Sequence, residues 1–581
     1  MISAVPPALI FIGGALLLPM LRTRRIRQLF ALAIPAVAFA DLLAMPHGTY
    51  WKFEFLGFGM TLGRVDALSM VFAYVFVVVS FLCIVYAIHI KRMGQHTAAY
   101  IYVGSALGVL FAGDLLTLFV FWESMAVSSL FLIWFQRTRA SSEAGFRYIL
   151  VHIAGGCLLL AGIVLHVADT GSLTFVRFDY DTVAAKFVLV GFLINAAVPP
   201  LHAWLADAYP EGTITGSVFM TAFTTKSAVY VLARSFPGVE VLVWLGAVMA
   251  LYGVVYAVLE NDIRRLLAYH IVSQVGYMVC GVGLGTEMAI NGASAHAFCH
   301  ILYKAVLFMG AGAVIHVTGR RKMTDLHGRE LYRLMPVTLI LYMIGAFSIS
   351  AVPLFNGFVS KTMVVAAAGR EGRPTIELML HLASIGTFLS IGLKLPRGIW
   401  FGTRQGGEEP ISDAGEPPLN MLIAMGIGAF LCILTGVYPD LLYRLLPHPV
   451  DFHPYEAGSV VVMVQLLLAT LAAFILYIDK LGGEPTVSID TDWFYRISGR
   501  ALQRFCDTSL ERMRRLAQKP FLQLIRISNA MARSPYRWMD WFSATSTGAN
   551  RNETFRLPIG STACLSLILL CVLIAIGLLA A

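Results

Sequence analysis

Mostly apolar stretches of roughly the 20 residues needed to cross a bilayer as a helix recur from one end of the chain to the other. They predict about sixteen crossings. These lie near 4–20, 28–46, 66–90, 98–112, 114–135, 145–167, 183–205, 213–234, 240–259, 265–285, 293–316, 334–368, 378–395, 419–438, 458–478 and 557–580. The twelfth is too long for one straight span: at roughly 1.5 Å per residue it would reach about 50 Å against a core of about 30 Å. It contains Gly345, Pro353 and Gly357, so it reads either as two short spans or as one crossing broken near Ser350–Pro353.

Loop charges favour the broken crossing. Arg22, Arg24, Arg25 and Arg27, then Lys91 and Arg92, Arg137 and Arg139, Arg264 and Arg265, and Arg320, Arg321 and Lys322 all fall on one side, the cytoplasmic one by the positive-inside rule. Counting 334–368 once puts the basic stretch 479–556, with its thirteen Lys and Arg, on that side too. Pro199 and Pro200 interrupt the seventh span, and proline removes a helix hydrogen bond. Two broken spans five positions apart predict an internal repeat, residues 98–235 and 240–396, of the kind found in transporters. The expected fold is therefore an all-α polytopic membrane protein with two inverted five-helix repeats. N-terminal helices (1–97) precede the repeats. C-terminal helices (397–478), a basic amphipathic segment (479–556) and a final span (557–581) follow.

Composition excludes the other broad classes. Of 581 residues, 58% are hydrophobic and 13% charged, where soluble domains carry about 25% charge. Mean hydropathy is +0.74. A net charge of +9 is accounted for by cytoplasmic loops and needs no nucleic acid. Eight scattered cysteines without a CxxC pair give no basis for a thiolate-held iron–sulfur or zinc site. The basic LRTRRIR follows the first apolar run, the reverse of a signal peptide, so that run reads as a retained span in a multi-pass protein of the cell (inner) membrane.

Charge at membrane depth is costly and marks function. Glu123 lies about nine residues beyond Asp114, near mid-membrane on the fifth span. Lys226 sits in the body of the eighth, and an opening and closing Glu123–Lys226 pair would make a proton switch. In ASAHAFCHILYKAVLFMG, His296, His300 and Lys304 follow at i, i+4, i+8 along one helix face, a row able to relay protons. His270 and Gln274, with Ser273, form a weaker stripe leading to that row. Lys361 sits in the second half of the broken twelfth crossing. Lys394 reads as a snorkelling anchor, and Asp66 as a partner of Arg64 at the outer interface. No metal ligand set is legible.

GRVDALSM, GSALGVLFAGDLLTLFVFWESM, PLHAWLADAYPEGTITGSV, DIRRLLAYHIVSQVGYM, HAFCHILYKAVLF and SAVPLFNGFVSKTM, in that order, resemble the antiporter-like subunits shared by Mrp-type cation/proton antiporters and respiratory complex I. The D-type member of the Mrp group is the nearest likeness. FHPYEAG and DTDWFYR (Asp490–Arg496) also look like that group. The resemblance implies a proton path through Glu123, Lys226, the row His296, His300 and Lys304, and Lys361. It departs at one position: the family's GFLIKAA is GFLINAA here, with Asn195 where lysine is usual. Asparagine does not titrate. Lys186 is about 13 Å away and half a turn out of phase. Either Lys226 takes over the pairing with Glu123, the first half-path is altered, or a partner supplies the charge.

The implied function is proton translocation, with Na⁺ or K⁺ as the exchanged cation, inside a multisubunit Mrp-type antiporter. The alternatives are a proton-pumping membrane-arm subunit of a complex I-like or hydrogenase-like redox complex, and a structural subunit with impaired transport. The partners implied are other membrane subunits of such a complex and membrane lipids. No cofactor is expected in this chain, and any redox centre belongs to a partner. The segment 479–556 reads as amphipathic helix at the membrane surface or as a docking face.

Overall fold

The computed structural model describes residues 5–55, 57–328, 330–401, 415–478 and 490–533. Ten of its helices are long and apolar enough to cross a membrane, and three shorter apolar helices, Pro7–Met20, Val183–Asn195 and Pro336–Ile349, join them. The chain is a polytopic, all-α membrane protein. The structure gives fewer full-length spans than sixteen, for identifiable reasons. The run 557–580 lies outside the described residues. The run 98–112 forms the Met93–Phe111 helix, whose Gln, His, Thr, Ser and Tyr residues dilute its hydropathy. The run 213–234 is two helices, Ile214–Ala222 and Thr224–Ser235, interrupted at Phe223. The run 334–368 divides into Pro336–Ile349 and Asn356–Arg370, a break common to both readings of that run. The seventh run stops at Asn195 and resumes as Ala203–Ala208.

One element was not anticipated. Gly48–Phe55 and Phe58–Val65 pair as an antiparallel hairpin. Asp114 fastens it: its carboxylate accepts from the Thr61 backbone N–H (2.7 Å) and from the N–H and hydroxyl of Thr117 (both 2.7 Å), capping helix Leu115–Trp134. Asp66 caps helix Ala67–Ala87 through Ser69. Its main charged partner is Arg234, which donates both terminal nitrogens at 2.8 Å, while the expected Arg64 contact is longer at 3.4 Å.

Several features occur twice. Asp114 and Asp262 each cap a helix (Leu115–Trp134, Ile263–Leu284) and form isolated bridges with Thr174 and Lys322. Thr138 and Thr286 cap two 32-residue helices, Arg139–Thr170 and Glu287–Thr318, which end at left-handed Gly171 and Gly319 (φ 68° and 67°). Subtracting 114 from 262, 138 from 286, 171 from 319 or 174 from 322 gives 148 each time. The breaks match as well. Ala197 and Ala351 both have φ 57° and both precede Val-Pro. The Val198 N–H reaches the Leu193 carbonyl at 3.1 Å, and the Val352 N–H reaches that of Phe347 at 3.0 Å.

The chain divides into two compact units, 1–493 and 494–581. The described part of the second continues the helix Asp492–Arg533, which is 42 residues long and contains Pro520. Its exposed residues include Arg504, Arg512, Arg514, Arg515, Lys519 and Arg526.

Candidate functional site

The helix Glu287–Thr318 runs through the middle of the first unit and is buried on all sides over most of its length. It carries His296, His300 and Lys304, none of them exposed. The two imidazole centroids are 6.2 Å apart, and Tyr303 lies 5.2 Å from His300. His296 Nδ1 is 3.1 Å from the Ser360 hydroxyl, on the helix that carries Lys361. The Tyr277 ring joins the two: it is 5.6 Å from His296, and the Lys361 ammonium sits 5.0 Å from its centroid. On the other side, the Tyr303 hydroxyl donates to Gln274 Oε1 (3.4 Å), and the Gln274 amide donates to Thr387 (3.4 Å). His270 Nε2 is 2.6 Å from the Ser390 hydroxyl, on a widened π-turn, Phe388–Lys394. The structure thus gathers His270, Gln274, Tyr303, His300, His296 and Lys361 into one buried polar run. Lys304 lies beside it, its ammonium 5.8 Å from the Phe308 centroid.

Three buried lysines dock on helix C-termini, where unpaired carbonyls carry partial negative charge. Lys226 donates to the Thr221 carbonyl (2.6 Å), freed by the break at Phe223, and to the Thr225 hydroxyl (3.2 Å). Lys361 donates to the Ile349 carbonyl (2.8 Å) at the end of the first half of its broken span. Lys394 donates to the carbonyls of Val258 and Glu260. It is buried rather than snorkelling, because these acceptors hold it inward.

Glu123 is not joined to Lys226 in this arrangement. Its Oε1 is buried, has no hydrogen-bond partner among the described residues and lies over Gly156, where a Cβ would collide with it. Asn195 is the last residue of its helix, buried, with neither amide atom hydrogen-bonded. Among the described residues, both nitrogens of His300, Nε2 of His296 and the ammonium of Lys304 also lack a hydrogen-bond partner.

A family model described as NADH:quinone oxidoreductase/Mrp antiporter, transmembrane, matches residues 112–390. The NADH-quinone oxidoreductase subunit N of Desulforudis audaxviator is 30% identical over 383 residues, covering 60% of this chain and 75% of that protein. The chain belongs to the NADH:quinone oxidoreductase/Mrp antiporter family. The A-type component of the Na(+)/H(+) antiporter of Alkalihalophilus pseudofirmus is 30% identical over 500 residues, 75% of this chain, which spans 61% of that longer protein. Among solved structures, the fold resembles a chain of the Mrp complex from Dietzia sp. DQ12-45-1b. The TM-score is 0.68 at 22% identity, covering 82% of this chain and 99% of that one. It also resembles a chain of the membrane-bound sulfane sulfur reductase, an archaeal respiratory membrane complex. There the TM-score is 0.70 at 23% identity, covering 98% and 99%.

As an NADH:quinone oxidoreductase/Mrp antiporter family member it is a multi-pass protein of the cell (inner) membrane. Sequence reasoning missed Tyr277, Tyr303 and Ser360, which complete the buried run, because aromatic and hydroxyl side chains are common in any helix. It also missed the role of Asp490. That carboxylate is 4% exposed and accepts from the Tyr252 and Tyr269 hydroxyls and from His202. The Thr491 hydroxyl donates to the Pro200 carbonyl (3.2 Å), so residues 490–491 are fastened to the break in the seventh run.

Proposed function

We propose that this chain is the proton-translocating membrane subunit of a multisubunit Mrp-type monovalent cation/proton antiporter. The observation that carries the reading is the buried run from His270 through His296 and His300 to Lys361. Leaving a buried polar atom without a partner costs about 1–3 kcal/mol, and this run holds several. Water threaded along it would satisfy them and make a proton wire of alternating side chains and solvent. Protons reach the run from the Glu123 side by way of Lys226 and leave near Lys361. The features spaced by 148 residues support two five-helix repeats, 98–235 and 240–396, each contributing half of the path. Other membrane subunits, lipids and Na⁺ or K⁺ are the partners.

A second reading is a proton-pumping membrane-arm subunit of a redox complex. The structural likeness to the sulfane sulfur reductase chain, over 98% of this chain, favours it. Mass spectrometry of the complex purified from native membranes separates the two. Small antiporter subunits support exchange, whereas iron–sulfur or flavin subunits support redox-driven pumping. Transport itself is tested with Lys226→Ala and Lys361→Ala in vesicles carrying the whole complex. Each lowers proton movement roughly tenfold or more while assembly is unchanged. Unaltered transport in both would leave only a structural role.

A further inference from the structure

The 148-residue spacing pairs residues whose roles differ between the two halves. Adding 148 to 152 gives 300, so His152 on helix Arg139–Thr170 occupies the position that His300 occupies on helix Glu287–Thr318. The surroundings correspond. Ser129 touches Tyr148 (2.7 Å between hydroxyls) where Tyr277 touches His296, and the corresponding residues of the two pairs, 129 and 277, 148 and 296, are 148 apart. A Cβ on Gly162 would press on Val188, and one on Gly310 would press on Tyr342. Gly156 stands where the second half has Lys304, and the absence of a side chain there admits the Glu123 carboxyl.

His152 is buried, its ring 4.0 Å from Tyr148 and 4.5 Å from Trp204. Trp204 in turn donates to the Ile194 carbonyl (2.9 Å), beside Asn195. The Nδ1 of His152 is 2.9 Å from the Tyr148 carbonyl, which can only accept, so Nδ1 carries a hydrogen. That leaves Nε2 as a bare lone pair in the neutral ring, and it has no protein partner. Gly156 is one helical turn from His152 on the same face, and Glu123 Oε1 lies over Gly156, so carboxyl and imidazole line one side of this helix with room for water between them.

We infer that His152 is a proton-relay residue of the first half, standing in for the lysine that Asn195 replaces. A proton leaves the Glu123 carboxyl, passes through intervening water to His152 Nε2 and is given up again from the same nitrogen towards the interior. The Nδ1–H stays on the Tyr148 carbonyl throughout. This rests on the proposed proton-translocating function.

The test compares H152Q, which keeps polarity, and H152F, which keeps the ring stack, with H300Q, in vesicles carrying the whole complex. Proton transport is divided by the amount of assembled protein, and the outcome is read from whichever His152 variant assembles. The expected result is a loss of roughly tenfold or more in H152Q, H152F and H300Q alike. Partial recovery in H152Q/N195K, where a titratable group returns, is also expected, and a merely structural defect would not give it. Transport lost in H300Q but within about twofold of wild type in the His152 variants overturns this inference and leaves the proposed function standing. Transport retained in all three overturns the proposed function as well. Loss in the His152 variants without recovery in H152Q/N195K overturns the substitution for lysine.

Discussion

His202 Nε2 donates to the Asp490 carboxylate at 3.2 Å, although 288 residues of chain separate them. Tyr269 donates to the same oxygen at 2.5 Å and Tyr252 to the other. Burial pushes the Asp490 carboxyl up, but the hydrogen bonds and charge of His202 and the two hydroxyls hold it below the usual carboxylate range. A carboxyl depressed on folding contributes stability above its ordinary pKa, near 4, and that stability is lost as pH falls towards the depressed value. The part of the thermal stability owed to Asp490, followed between pH 3 and 7, therefore falls off on the acid side. Asp490→Asn flattens that fall and lowers stability by about 1–3 kcal/mol at neutral pH. A melting curve of Asp490→Asn that matches wild type at both ends would remove the latch.

Gly156 makes room for the Glu123 carboxyl. Gly156→Ala forces that carboxyl to move and lowers proton transport roughly tenfold or more. The neighbouring Gly155→Ala meets only Ile194, at 3.2 Å, and is tolerated. Equal transport in the two variants would mean that the position of Glu123 does not matter.

Asn195→Lys places a cation at a buried helix end. The variant assembles and its transport shifts in pH dependence, because a further titrating group enters the first half. Vesicle assays across pH check this, and an unchanged profile would show that the position does not tune the Glu123 side.

Asp114 holds the hairpin against a helix start. Asp114→Ala removes the cap and strands the Thr61 N–H, at a cost of about 1–3 kcal/mol. Transport per assembled complex stays near wild type, since the residue acts on the fold. A loss of transport at full assembly would instead assign it to the path.

The readable parts of the sequence were those with a one-dimensional signature. Apolar runs located most helices, and the prolines at 199–200 and 353 located two breaks. The row at 296, 300 and 304 was visible because helix geometry fixes its face. The break at Phe223 carries no proline or glycine, so TAFTTKSAVYV reads as continuous helix. The hairpin was hidden between two long apolar runs, although Gly57 offered a turn signal. Asp66–Arg234 and Asp490–His202 join residues far apart in the chain, and no local pattern encodes them. The internal correspondence lay in capping residues at equal spacing rather than in similar segments.

The docking of Lys226 and Lys361 on backbone carbonyls has a consequence for energetics. A carboxylate partner would hold an ammonium with a full opposite charge, and each departing proton would leave a buried anion behind. A carbonyl bears only a partial charge that never changes. Its neutral amine counterpart is still hydrogen-bonded, so the site alternates between +1 and 0 and creates no stranded negative charge. On the proposed path, fixed dipoles of this kind would flatten the free-energy profile of a proton passing Lys226 and Lys361, which then breaks no salt bridge at either.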